Sequence, residues 1–176
     1  MKQIRQIFLF LLILVLSDCK QRPTFPASPE IAFVSVKKLT VYDTDNKPTK
    51  DSVTVSISFK DGDGDLGTSD ADVINYYTDV YALQNGEYKQ VIEKDTIPIV
   101  YHTKNGRFPA LNPDGRQGPV EGTLERGFST YLIFKPFNDS AAYTLKWKIY
   151  IKDNNGHSSN VIETTPVRIV NYLYNP

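Results

Sequence analysis

The chain has 176 residues, with 20 basic and 20 acidic side chains and a formal net charge of zero. A nucleic-acid partner needs a basic face to neutralise phosphates, and this balance does not supply one. A hydrophobic content of 40% fits an ordinary globular domain, and 10 glycines, 11 prolines and 12% aromatics point to a turn-rich all-β fold.

The N-terminus is a segment of another kind. Lys2 and Arg5 precede an unbroken apolar run from Ile7 to Leu16. That run is shorter than the roughly 20 residues a membrane-spanning helix needs, and it has the length of a signal-peptide core. Leu16-Ser17-Asp18-Cys19 follows. This stretch resembles a bacterial lipoprotein signal, in which the chain is cut before a cysteine that is then acylated. Leu16, Ser17 and Cys19 match, whereas Asp18 departs from the small residue usual there. The resemblance implies a cleaved signal over 1–18 and lipidation of Cys19, with the body tethered to a membrane. An ordinary secretory signal with a chance cysteine is the alternative. With Cys19 acylated, no thiol is left for a disulfide, a zinc site or nucleophilic chemistry.

Lys20 to Glu30 carries three prolines and no periodicity, so 19–30 reads as a stiff spacer. A β-sandwich domain is expected over 31–172. Phe33 to Tyr42 is the first predicted strand. In Ser52–Lys60, residues Val53, Val55, Ile57 and Phe59 alternate with polar neighbours, the period of a half-buried strand. Val73 to Leu83 and Tyr88 to Ile92 are joined through Asn85-Gly86, a strong hairpin signal. Ile97 to His102 and Thr130 to Phe134 are shorter strands. Tyr143 to Lys152 alternates again, with Tyr143, Leu145, Trp147, Ile149 and Ile151 in one phase. Val161 to Val170 closes the domain, with Pro166 marking an edge or a bulge. Eight short strands predict an immunoglobulin-like two-sheet antiparallel sandwich. His102 to Gly122, with three prolines and four glycines, is a long connection of the kind that is often functional or mobile.

The chemistry concentrates between Lys60 and Asp72, in KDGDGDLGTSDAD. Counted from Asp61, aspartates stand at positions 1, 3, 5 and 12, with Gly67 at 7 and Ser69 at 9. Calcium takes 6–8 oxygens, and an EF-hand loop supplies them at these positions. Leu66 replaces the EF-hand glycine at position 6, and a strand rather than a helix leads in. The expectation is therefore a calcium loop of similar spacing on a sandwich, with Asp61, Asp63, Asp65, Gly67, Ser69 and Asp72 as ligands. Like charges this close stay ionised only if they are solvated or neutralised. A solvated Asp-Gly turn is the competing reading. In an immunoglobulin-type sandwich the second and sixth strands run the same way, so the loops leaving them share one end. Asp153 or Asn155 is then available to complete the site.

Four stretches together resemble a family of uncharacterised Bacteroidetes lipoproteins: Phe59–Gly67 (FKDGDGDLG), Arg107–Gly115, Val120–Glu125 and Tyr150–Ile169. The family often has Asp-Arg-Ala where this chain has Asp153-Asn154-Asn155. The resemblance implies an immunoglobulin-like fold and an outer-membrane lipoprotein, periplasmic or surface-facing, and it implies no activity. It also draws attention to Asp51-Ser52-Val53, Asp95-Thr96-Ile97 and Asp139-Ser140-Ala141, which fit the triplets that phylum O-glycosylates.

Catalytic signatures are missing. His102 and His157 belong to no metal-ligand motif, Gly127–Tyr131 lacks the second glycine of a nucleophile elbow, and no phosphate-cradling loop opens a helix. A lipid-tethered, non-catalytic binding or structural module with an envelope protein or glycan partner is the main expectation, with Tyr76, Tyr77, Phe108 and Phe128 as contact aromatics. A calcium-dependent envelope hydrolase acting on glycans is the alternative.

Overall fold

The computed structural model describes residues 23–91, 104–111, 118–129, 142–170 and 172. Two antiparallel sheets pack face to face as a β-sandwich. Among the described residues, eight strands follow in chain order: β1 (Glu30–Tyr42), β2 (Pro48–Asp61), β3 (Tyr76–Gln84), β4 (Glu87–Gln90), β5 (Val120–Ser129), β6 (Ala142–Ile151), β7 (Ile162–Glu163) and β8 (Val167–Val170). One sheet has the order β1-β2-β5 and the other β4-β3-β6-β7, with β8 also pairing β6. Among the described residues, β1, β2 and β5 thus face β3, β4, β6, β7 and β8 across the sandwich.

The alternating runs supply the core. Val53, Val55, Ile57 and Phe59 of β2 are buried against Leu145, Trp147, Ile149 and Ile151 of β6. The Phe128 ring stacks over Trp147, with centroids 6.2 Å apart. In the β3–β4 hairpin, Asn85 and Gly86 have φ of 52° and 85°, as a two-residue primed turn demands. Pro166 lies between β7 and β8, where the closing strand breaks. There the Thr164 hydroxyl accepts from the Trp147 N–H in place of a ladder bond. Along β1 the register with β2 shifts between Phe33 and Ser35, so Val34 bulges outward and is 52% exposed.

Several expectations are corrected. Val73 and Ile74 precede β3 and are exposed. β5 was not expected. Its inward positions read Val120, Gly122, Leu124, Arg126 and Phe128, and a glycine and an arginine break the apolar alternation. Both have a physical reason. Gly122 pairs with Phe59, whose ring would lie 2.8 Å from a β-carbon there. The Arg126 guanidinium lies 4.8 Å from the Tyr76 ring centroid and donates to the carbonyls of Asn105 and Arg107. Part of the long connection is structural: Gly106 bridges to Tyr76, and Phe108 packs edge-on against Phe59. Tyr76, Phe108 and Phe128 are core residues, so they do not form a contact surface. Tyr77 is half-exposed and stacks on Tyr150 with centroids 4.6 Å apart. The triplet at Asp51 lies in β2, with Asp51 and Val53 fully buried and Ser52 partly buried. The expected strands at 97–102 and 130–134, the triplets at 95 and 139, and Cys19 lie outside the described residues.

Candidate metal centre

The inward phase of β2 does not stop with its apolar residues. It runs Asp51, Val53, Val55, Ile57, Phe59, Asp61, so alternation drives an aspartate into the interior at the strand's last position. β6 does the same: its inward phase continues past Ile151 to Asp153, which is 5% exposed. Because β2 and β6 run the same way, both carboxylates arrive at one end of the sandwich.

The loop after Asp61 folds back on it. The Gly64 N–H donates to Asp61 Oδ2 at 2.9 Å. Gly64 and Gly67 have φ of 76° and 89°, and a β-carbon on either would meet a carbonyl oxygen, of Gly118 at 2.1 Å or of Pro109 at 2.0 Å. Glycine at these positions lets two remote backbone segments close against the loop. Leu66, where an EF-hand has glycine, is instead 2% exposed and anchors the loop in the core. The second loop clamps the first: Asn154 Nδ2 donates to the Gly67 carbonyl and the Asn155 N–H to Asp65 Oδ2, each at 3.0 Å.

Inside this frame, Asp61, Asp63 and Asp65 each present a carboxylate oxygen within 4.8 Å of the other two. Two oxygens bound to one calcium ion at about 2.4 Å can be at most about 4.8 Å apart. The Oδ1 atoms of all three are buried and have no hydrogen-bond partner. Buried polar atoms are otherwise nearly always paired. The electrostatics agree. Burial, reinforced by the charge of Asp63, pushes the Asp61 carboxyl up to about 6, against the opposing Gly64 N–H. Asp65 is likewise pushed up to about 6 by burial, by a hydrogen bond shared with Asp63, and by the charges of Asp153 and Asp63. At neutral pH these groups are ionised against resistance, and a cation relieves it. The three aspartates can hold a metal ion.

The other expected ligands fall elsewhere. Asp72 is exposed, is not one of the clustered carboxylates, and donates its N–H to Asp70 Oδ1. Ser69 is exposed and its carbonyl accepts from Arg107 at 2.8 Å. Leu66 turns the chain into the core, so positions 9 and 12 of the EF-hand spacing are carried away from the cluster. The Gly67 carbonyl is taken by Asn154. Asn155 acts as a backbone donor that orients Asp65. Asp153 stands beside the cluster with its carboxylate on the N–H and Nδ1 of His157, both at 2.7 Å. That hydrogen bond, with the Asp153 charge behind it, raises the His157 pKa. Asn154, His157 and the segments at Pro109 and Gly118 were missed as site residues; the glycines at alternate loop positions were the signal that other chain segments approach there.

No known protein family matches the chain by sequence, and no curated protein does.

Proposed function

We propose that the protein is a lipid-anchored module of the bacterial cell envelope, non-catalytic, whose loop end is locked by calcium. The observation that carries this reading is the cluster of Asp61, Asp63 and Asp65, each with one carboxylate oxygen within 4.8 Å of the others and each with a buried, unpartnered Oδ1. An all-oxygen anionic set selects a hard cation, and a flexible glycine-rich loop suits calcium better than the strict octahedron of magnesium. The ion bridges the loop after β2, and Asn154 and Asn155 tie that loop to the one after β6. Acylated Cys19 and the proline-rich spacer hold the body at the outer membrane, on its periplasmic or outer side, as the resemblance to Bacteroidetes lipoproteins implies.

The alternative, a calcium-dependent hydrolase acting on glycans, needs an ion with an open face for substrate. Oxygens sealed from solvent argue for a structural ion, so a partner glycan or envelope protein is bound elsewhere on the body. Calorimetric titration of the chelator-stripped full chain in detergent tests the site. Calcium is expected to bind with a dissociation constant on the order of 10⁻⁴–10⁻³ M. The Asp63→Ala/Asp65→Ala variant should give no heat. Identical flat traces for both proteins overturn the reading. Intact-mass measurement of membrane-extracted protein tests the acyl group, with Cys19→Ser as the control.

A further inference from the structure

Gly62 sits between two of the clustered aspartates, and it is used for something other than the ion. Its N–H donates to the Pro26 carbonyl at 2.8 Å. A β-carbon there would lie 2.2 Å from the Phe25 carbonyl oxygen and 2.6 Å from that of Pro26. Next to it, the Lys60 ammonium lies 5.4 Å from the centroid of the Phe25 ring. Asn160 grips the chain a second time at Ile31, five residues after Pro26: Oδ1 accepts from the Ile31 N–H at 2.9 Å, and Nδ2 donates to the Ile31 carbonyl at 2.8 Å. The segment leading into β1 is thus fastened at one point to the aspartate loop and at the other to the loop that orients Asp65.

Neither fastening can form unless its loop is already in place. Besides a few hydrogen bonds and one ring contact, only Pro29 is buried and Phe25 half-buried in this stretch, a weak counterweight to the entropy of ordering it. When the aspartate loop is strained by its own charge, the segment has little to dock on. From this geometry, and resting on the calcium reading above, we infer that ion binding at Asp61, Asp63 and Asp65 latches residues 24–29 onto the loop end of the sandwich. The ion thereby sets how the body hangs from its anchor. Cys19 lies six residues before Phe25 and twelve before Ile31. At about 3.5 Å per extended residue, the latched state keeps the loop end within roughly 20 Å of the anchor and the released state allows roughly 40 Å.

Linkage makes the inference testable from both sides. If the ion favours the latch, the latch favours the ion by the same factor. Gly62→Ala is the variant of choice: it removes no carboxylate, its clash is with the docked segment, and Gly62 is not a positive-φ position. It is expected to weaken calcium binding about five-fold or more by calorimetry. Asn160→Ala, which frees Ile31 without touching the aspartate loop, should weaken it in the same direction. The latch is read directly with a nitroxide on Ala27→Cys in the full chain carrying Cys19→Ser. Calcium should immobilise the label, and Gly62→Ala should leave it mobile with or without calcium. Calcium binding that is normal in both variants, with a label indifferent to the ion, overturns the latch and leaves the metal site standing. Failure of the parent chain to bind calcium at all overturns both.

Discussion

Two aspartates sit at opposite ends of the inward face of β2, and the fold treats them in opposite ways. Asp51 and Asp61 are both fully buried. Asp51 accepts hydrogen bonds from Thr40 Oγ1 at 2.8 Å, the Val170 N–H at 2.9 Å, Lys38 Nζ at 3.2 Å and the Tyr172 hydroxyl at 3.2 Å. Burial alone pushes its pKa up, but the Val170 N–H, the Thr40 hydroxyl and the Lys38 ammonium together outweigh it and hold the pKa below the ordinary value. Asp61 meets one backbone donor and three further carboxylates, and its pKa goes the other way. One end of the sandwich neutralises its buried charge from within. The other leaves that charge unbalanced, which is the condition for recruiting an ion. Burial of a carboxylate therefore says little by itself; what faces it decides whether it is a clasp or a binding site.

The comparison breaks most readily at the clasp. Asp51→Ala strands the Val170 N–H and separates β8 from β1 and β2, and it should cost about 3 kcal/mol in urea unfolding with or without calcium. Asp61→Asn is the sharper test, because its sign should depend on the ion. In chelator it should stabilise the protein by about 1–2 kcal/mol, since a resisted charge is gone. With calcium at about a hundred times the dissociation constant it should fall behind the parent chain, which alone gains about 2.7 kcal/mol from binding.

The pH dependence separates the two ends without mutation. Asp61 and Asp65 have folded pKa values raised to about 6, so their contribution is fully present below the unfolded value near 4 and is lost as pH rises through about 6. Asp51 has the opposite sign: its contribution is present above the unfolded value and is lost as pH falls through its depressed folded pKa. In chelator, stability measured by urea midpoint should therefore fall between about pH 4 and 6, and saturating calcium should flatten that fall. As a baseline, Glu163→Gln removes the surface pairs with Lys146 and Lys148 and should cost under about 1 kcal/mol. An Asp51→Ala cost no larger than this baseline would erase the contrast between the ends.

Much of the frame was legible in the sequence because alternation is a local signal. Val53 to Phe59 and Leu145 to Ile151 read as half-buried strands, and Asn85-Gly86 as their hairpin neighbour, with no knowledge of the rest of the chain. The convergence of the loops after β2 and β6 followed from sandwich topology alone. What stayed hidden depends on partners distant in sequence. β5 was masked because Gly122 yields its space to Phe59 and Arg126 fills an inward position by stacking on Tyr76. Phe108 looked like a loop aromatic and is core, since its N–H is held by Asn75. The ligand spacing singled out Asp61, Asp63 and Asp65, which do cluster, and also Ser69 and Asp72, which lie away from the cluster beyond Leu66, where core packing dictates the path.

The outward bulge at Val34 bears on whether copies of the chain can add to one another edge to edge. β1 is a 13-residue strand whose far side is not paired in the described sheet order. Long straight borders of this kind invite neighbours to zip on and start fibrils. Here the displaced residue throws donors and acceptors out of step partway along, and the exposed Lys37 follows close behind. Copies at high local concentration can thus stay a crowd of individuals.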